Sequence, residues 1–181
     1  MIELMPCDIY LCRTPYTLSK IIRFCTRHIG EGRSQFSHCG IITAGGTNPI
    51  ITEALTHVRT HPLSESIADP AIEYAIYRPL DLLPEEKSAI VTKALSYDGR
   101  DYGYFKLVLH LLDFAFDGIY LFRRIGRMDK YPICSYVVAC AYASVKKYFG
   151  VAPQAASPDD IGDFVQSHPT KYVLITKRGN F

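Results

Sequence analysis

The feature that most constrains the fold is an uninterrupted apolar run late in the chain, at residues 137–142. Pro132 stands shortly before it, and proline is accepted at the start of a helix but not inside one. The proline and the run together predict a buried helix that begins near Cys134. This helix therefore belongs to the core of the protein.

The predicted helix carries a thiol in its first turn. Cys134 would feel the positive end of the helix dipole there, which favours the thiolate, and a thiolate is a strong nucleophile. A cysteine that opens an apolar helix is, however, more often a small core residue. The residue pattern alone leaves both interpretations open.

Short segments rich in β-branched and aromatic residues alternate with turn residues along the rest of the chain. The predicted strands cover residues 7–12, 37–43, 49–56, 56–63, 72–78 and 172–176, and further helices are predicted over 17–28, 84–96 and from 157. Short antiparallel strands with helices between and after them indicate an α+β fold. We expect one domain over residues 1–181, with a helical insertion or lid at about 103–130.

Two neighbouring strands predict a hairpin that brings a histidine and a glutamate together. If Gly45-Gly46 forms a two-residue turn, His38 lies directly opposite Glu53, with Cβ atoms roughly 4.5–5.5 Å apart. A four-residue turn makes them diagonal neighbours on one face, and a three-residue turn puts them on opposite faces. A carboxylate in a half-buried strand needs a partner, and His38 is the nearest candidate.

These residues suggest the chemistry of a cysteine hydrolase or acyl transferase. A carboxylate holds a neighbouring imidazole in one tautomer and favours its charged form. His38 can then accept the proton of Cys134 and return a proton to the leaving group, while Glu53 orients the ring. The backbone N–H of Cys134, at a helix start, is an expected oxyanion donor.

Charge and cysteine spacing argue against two other classes of protein. The formal net charge is +2 and the sequence pI is about 8.2, with mostly scattered basic residues, so we expect no nucleic-acid partner. The six cysteines include no CxxC pair. We therefore predict no metal site and no cofactor.

The N-terminus and the most hydrophobic stretch indicate the cellular compartment of the protein and its relation to membranes. Residues 1–6 lack a basic region followed by an apolar one, so we predict no signal peptide, reduced thiols and a cytoplasmic protein. Residues 104–122 are strongly apolar but carry charges every three to four residues, which disfavours a transmembrane segment. This stretch fits either an amphipathic core helix or a lid or lipid-facing surface in peripheral contact with a membrane.

Six motifs occur in a fixed order along nearly the whole chain. They are Cys7-Asp8-Ile9-Tyr10-Leu11, Ser37-His38-Cys39-Gly40-Ile41-Ile42, Thr52-Glu53-Ala54, Gly99-Arg100-Asp101-Tyr102, Ile133-Cys134-Ser135 and Ser157-Pro158-Asp159-Asp160-Ile161. This series resembles permuted papain-fold (NlpC-like superfamily) cysteine hydrolases of the YiiX/YaeF type. Two departures stand out: Cys7 replaces the opening glycine of that family, and Gly103 follows Tyr102 where the family tends to have an acid.

The resemblance implies a circularly permuted papain-like fold, with an antiparallel sheet or barrel packed against a nucleophile-bearing helix. It also implies a Cys134–His38–Glu53 triad. To the oxyanion site or substrate pocket we assign Tyr10, Tyr102, Tyr104 and Ser135.

The expected activity is hydrolysis of amide bonds, as in a peptidase or amidase, on a peptide-like substrate. A lipid acyltransferase or thioesterase of the lecithin–retinol acyltransferase-like type, with a lipid-like substrate, and a catalytically idle binding module on the same fold are the alternatives. Substrate identity and oligomeric state stay open.

Overall fold

The computed structural model describes residues 3–26, 34–103 and 132–181, without the side chain of Cys25. Over these residues the protein is an α+β structure with a six-stranded antiparallel sheet and five helices. The strands are β1 (Ile9–Arg13), β2 (His38–Ala44), β3 (Ile50–Ala54), β4 (Val58–Pro62), β5 (Glu73–Pro79) and β6 (Tyr172–Arg178). The helices are α1 (Thr17–Cys25), α2 (Leu63–Ser66), α3 (Pro84–Leu95), α4 (Cys134–Ala143) and α5 (Pro158–Ser167).

The strand order is β4-β3-β2-β1-β5-β6, which places the first strand in the interior of the sheet. β1 is apolar up to its last residue and is buried over its first four residues. A strand covered on both faces is expected to be apolar without alternation, which accounts for its position between β2 and β5. All six strands predicted from the sequence are present, with ends that differ by at most two residues.

The two faces of the sheet belong to two apolar clusters. Successive strand residues point to opposite faces. Ile9 and Leu11 accordingly join the cluster that contains α4, whereas Tyr10 and Cys12 join the second cluster. Helix α4 packs on β2 and β3 and also contacts α3 and α5. The thiol-bearing helix is thus held against the hairpin that carries His38 and Glu53.

Helix α4 begins at Cys134, as the sequence predicts. Ile133 is its N-cap, with an extended backbone and no side-chain cap hydrogen bond, and eight of the ten helical residues are buried. Two buried hydroxyls tie the helix to its surroundings: Tyr142 donates to the Cys7 carbonyl at 2.6 Å, and Ser135 donates to the Ala156 carbonyl at 2.6 Å. The first turn is therefore well anchored.

The cysteine that replaces the expected glycine adopts a glycine-like conformation. Cys7 has φ of 74°, a left-handed backbone that costs an ordinary residue about 1–2 kcal/mol. Its N–H donates to the Ile42 carbonyl at 2.8 Å, and its side chain is fully buried. The surrounding packing and this hydrogen bond hold the conformation in place.

Several sequence predictions concern residues outside the described ranges. The apolar stretch at 104–122, Tyr104 and nearly all of the predicted insertion at about 103–130 belong to this group. Within the described ranges, no helix has the length and apolar character needed to cross a membrane. The cysteines whose side chains are described all have free thiols.

Candidate functional site

The β2–β3 hairpin brings His38 and Glu53 onto one face of the sheet. Gly40 pairs with Glu53, so His38 is a diagonal neighbour of Glu53. This is the register expected for a four-residue turn, and the two-residue turn at Gly45-Gly46 is wrong. The strands are joined by residues 45–49, with an irregularity in β2 between residues 42 and 44. Diagonal neighbours are within reach of long side chains.

Gly40 provides the space that this diagonal contact needs. A Cβ atom at position 40 would lie 2.7 Å from Ile51 Cδ1 and 3.0 Å from Glu53 Cβ, both too close for undisturbed packing. With a glycine opposite it, Glu53 can lie over the β2 backbone and reach His38. The Ser-His-Cys-Gly motif thus supplies both the base and the room for its carboxylate.

Glu53 and His38 form a short, largely buried contact. The His38 Nε2 to Glu53 Oε2 distance is 2.5 Å, and the side chains are 19% and 2% exposed. Burial disfavours the imidazolium, but the neighbouring Cys134 and Glu53 outweigh burial and raise the pKa of His38 well above its usual value. Since Nε2 is taken by the carboxylate, Nδ1 is the nitrogen left for the thiol.

The same carboxylate accepts hydrogen bonds from two further side chains. Ser66 Oγ donates to Glu53 Oε1 at 2.6 Å, and His61 Nε2 lies 3.0 Å from the same oxygen. Burial raises the pKa of Glu53, but His38, His61 and Ser66 together lower it well below its usual value. Glu53 is therefore ionised although it is almost inaccessible to solvent.

The thiol of Cys134 lies beside His38 and beside the thiol and backbone of Cys39, and its pKa responds to all of these groups. The hydrogen bond from Cys39 lowers the pKa of Cys134, burial opposes this, and the charge of His38 lowers it further, so that it falls well below the usual thiol value. The residue is 5% exposed. The arrangement favours a thiolate–imidazolium pair beside a fixed carboxylate.

The other buried thiols have the opposite tendency. Burial raises the pKa of Cys7 to about 12 and that of Cys12 to about 11. Burial, followed by the hydrogen bond to Cys134, also raises the pKa of Cys39. Among these thiols, Cys134 alone therefore has the environment of a nucleophile.

A cleft of about 380 Å³ opens onto His38. Its walls are mainly apolar and come from α1 and the segment before it, from the end of β3 and from the loop at residue 102. They include Tyr16, Leu18, Ile22, Leu55 and Tyr102. A substrate in this cleft would lie against the imidazole that contacts Cys134.

A larger cavity of about 570 Å³ lies elsewhere and lacks these chemical groups. Its walls include Leu4, Tyr74 and Ile76, with Glu3 as the single ionisable carboxylate. Among the residues that the structure describes, no thiol or imidazole lines it. We therefore place the candidate active site at the smaller cleft.

The predicted pocket residues have different positions. Tyr102 lines the cleft. Tyr10 is 1% exposed, and its hydroxyl donates to the Ser66 carbonyl at 3.4 Å, so it packs beneath the site rather than in the cleft. Ser135 is fully buried and donates to the Ala156 carbonyl. Neither Tyr10 nor Ser135 is brought to the cleft by its side chain, because both hydroxyls are held by carbonyls of the interior.

Three side chains at this site have no role predicted from the sequence: Cys39, His61 and Ser66. A signal for His61 exists in the predicted strand at 56–63, because antiparallel pairing with the neighbouring strand brings it within reach of Glu53. Cys39 and Ser66 have no comparable signal, since both positions depend on how elements pack.

Comparison with protein-family models gave no match, and comparison with curated proteins gave none. Among solved structures, the protein is similar to the crystal structure of YiiX from Escherichia coli O157:H7, which is described as a metalloprotein. The TM-score is 0.60 and the sequence identity 18%, with 98% of this chain and 97% of that chain covered. The chain has a YiiX-like fold. At this identity the likeness to YiiX concerns the fold, and the chemistry has to be argued from the residues.

Proposed function

We propose that the protein is a cysteine hydrolase of amide bonds that acts through Cys134, His38 and Glu53. The observation that supports this most strongly is the Cys134 thiol in contact with a histidine whose other ring nitrogen is held by a buried carboxylate. Nucleophile, base and orienting group in this order are the elements of a catalytic triad. The peptide-like substrate expected from the sequence fits this chemistry.

The first half of the proposed reaction forms an acyl-enzyme. The Cys134 thiolate attacks the carbonyl carbon of the substrate, and the carbonyl oxygen becomes an oxyanion at the first turn of α4, where backbone N–H groups are available as donors. The C–N bond then breaks. The imidazolium of His38 gives its proton to the leaving amine, and a thioester remains on Cys134.

The second half regenerates the enzyme. Neutral His38 takes a proton from a water molecule, and the hydroxide that results attacks the thioester carbonyl. The C–S bond breaks, the acid is released, and Cys134 returns to the thiolate beside imidazolium. Glu53 remains ionised throughout and holds the ring through Nε2.

A lipid-like ester or amide is the second candidate substrate, because the apolar cleft favours an acyl chain. Helix α1 turns Ser19 inward, where its hydroxyl lies 2.7 Å from the hydroxyl of Ser37. The apolar side chains Leu18, Ile21 and Phe24 of this helix are 44–57% exposed, and Leu18 lines the cleft. A long acyl chain would cover this surface and place its carbonyl near His38.

The description of YiiX as a metalloprotein raises the question of a metal ion at this site. Within the described residues, no group of three or more His, Cys, Asp or Glu side chains is arranged to hold one. The Nε2 atoms of His38 and His61 lie 2.5 and 3.0 Å from the Glu53 carboxylate and so point at its oxygens instead of converging on a shared point. The described residues around Glu53 do not fit a metal, and the proposed mechanism has no step through one.

The decisive experiment compares Cys134→Ala with Cys140→Ala, a control on the same helix. We expect hydrolysis of p-nitrophenyl acetate, p-nitrophenyl palmitate or an acyl p-nitroanilide by the wild type and the control, and an acyl adduct on Cys134 by mass spectrometry. Cys134→Ala should show neither hydrolysis nor an acyl adduct, and its free energy of unfolding should change little. Turnover that survives in Cys134→Ala would refute the mechanism.

The same series separates the candidate functions. Preference for the anilide supports an amidase, and preference for the long-chain ester supports a lipid substrate. A Cys134 that reacts with none of these probes and is alkylated by iodoacetamide no faster than a free thiol would leave the idle binding module as the remaining interpretation.

A further inference from the structure

The Glu53 carboxylate is shared by more donors than a catalytic triad requires. One oxygen, Oε2, contacts His38. The other, Oε1, receives Ser66 Oγ at 2.6 Å and His61 Nε2 at 3.0 Å. Three side chains from β2, β4 and α2 thus converge on a carboxylate that is 2% exposed.

We infer that His61 and Ser66 are positioning residues for the candidate catalytic pair: they hold Oε1 of Glu53 so that Oε2 stays on His38. This inference rests on the proposed function. The terminal torsion of a glutamate is broad, so a single hydrogen bond to Oε2 would leave the carboxylate plane free to turn. Two donors on Oε1 remove that freedom and satisfy the remaining lone pairs of a buried charge.

The state of the His61 ring supports the inference independently. Its Nδ1 is buried and has no hydrogen-bond partner among the described residues, and a carboxylate oxygen of Glu65 lies 3.5 Å away. A buried polar atom without a partner is unfavourable and calls for an explanation. An apolar residue at position 61 would avoid this cost, but it would remove one of the two donors to Oε1 of Glu53.

Loss of His61 and Ser66 should make the thiolate of Cys134 less favourable. Without His61 and Ser66, burial would favour the neutral or misoriented form of Glu53. The imidazolium of His38 would lose its counter-charge, and the thiolate of Cys134 would become less favourable. His61 and Ser66 would thus act on the thiol of Cys134 through Glu53 and His38, and would contact neither the thiol nor the substrate.

The test is the pH dependence of Cys134 alkylation by iodoacetamide, followed on the Cys134 peptide by mass spectrometry. His61→Leu should shift the alkylation midpoint upward by about one pH unit, which is about a tenfold lower rate at pH 6. Ser66→Ala should lower the rate about threefold. His61→Gln, which retains a donor, should restore most of the rate. His57→Gln, at an exposed histidine, is the matched control and should behave as wild type.

The outcomes distinguish this inference from the proposed function. A wild-type Cys134 that reacts no faster than a free thiol at pH 6 defeats the proposed function. A reactive wild type with unchanged profiles in His61→Leu and Ser66→Ala overturns only the positioning role. Ser66→Ala removes one hydroxyl from a half-buried residue, so it decides the question even where His61→Leu fails to fold.

Discussion

Two buried carboxylates, Asp8 just before β1 and Glu53 in β3, differ in their partners. Asp8 is fully buried and receives Nε and Nη2 of Arg78 at 2.9 and 2.7 Å, together with the Met5 N–H at 2.8 Å. Glu53 is as deeply buried, but its charged partner is an imidazole. A guanidinium stays charged at any accessible pH, whereas an imidazole titrates near neutrality.

This difference in partners gives Asp8 a structural role and makes Glu53 able to support a reaction. The Asp8–Arg78 pair has no proton to transfer, and its two parallel hydrogen bonds fix geometry. The Glu53–His38 pair holds a proton that a neighbouring thiol can exchange. Depth of burial is similar at both sites, so the titration range of the partner decides which of them can take part in a reaction.

The largest effect should come from breaking the structural pair. Arg78→Met leaves the charge of Asp8 buried without its counter-ion, and we expect a loss of about 3–5 kcal/mol in the free energy of unfolding. Urea denaturation measures it, with Arg59→Met, at an exposed ion pair, as the control. The alkylation profile of Cys134 should not move. If Arg78→Met were as stable as wild type, or if it shifted the alkylation profile of Cys134, the proposed difference between Asp8 and Glu53 would be wrong.

Neutralising Glu53 should mainly lower the reactivity of Cys134. In Glu53→Gln the amide oxygen can still accept hydrogen bonds, but the charge that favours the imidazolium is gone. Since a nearby opposite charge shifts a pKa by about 1–3 units, we expect alkylation of Cys134 at pH 6 to fall about tenfold or more. Asp8→Asn serves as the comparison. Equal alkylation rates in Glu53→Gln and wild type would mean that Glu53 does not support the thiolate.

The two sites should also differ in the pH dependence of stability. The lowered pKa of Glu53 gives stability that is present above its unfolded value of 4.5 and lost as the pH falls. The raised pKa of His38 gives stability that is present below 6.5 and lost as the pH rises through the folded value.

The stability difference between wild type and Glu53→Gln should therefore be greatest from about pH 5 to 6.5, at about 1–2 kcal/mol. The difference for Arg78→Met should be constant from pH 5 to 8, because the guanidinium does not titrate there. Urea titrations at several pH values give both curves. A stability difference between wild type and Glu53→Gln that does not change with pH would contradict the link between these pKa values and stability.

The smallest effect should come from a carboxylate beside the site but exposed. Glu65 is 52% exposed, pairs with Arg59 at 2.9 Å and lies 3.5 Å from His61. Solvent screens such a pair, so Glu65→Gln should change the free energy of unfolding by less than about 0.5 kcal/mol. Its alkylation profile should match wild type. A large shift would show that proximity alone, without burial, is enough to tune the thiol.

The sequence by itself determined the local elements and the residue types of the candidate site. The apolar run after Pro132 predicts the helix that begins at Cys134, and turn residues separate the strands, because periodicity and chain breaks are local properties. Strand alternation also put His38 and Glu53 on one face, provided that the turn had an even number of residues.

Only the tertiary structure decided the exact register and the surroundings of the reactive groups. The contacts of Cys39 with Cys134, and of Ser66 with Glu53, join elements that no local pattern orders. The inward orientation of Ser19 in α1 depends in the same way on Ser37, a residue of another segment. The shifted pKa values follow from burial and from these long-range neighbours, which arise only when the helices pack on the sheet.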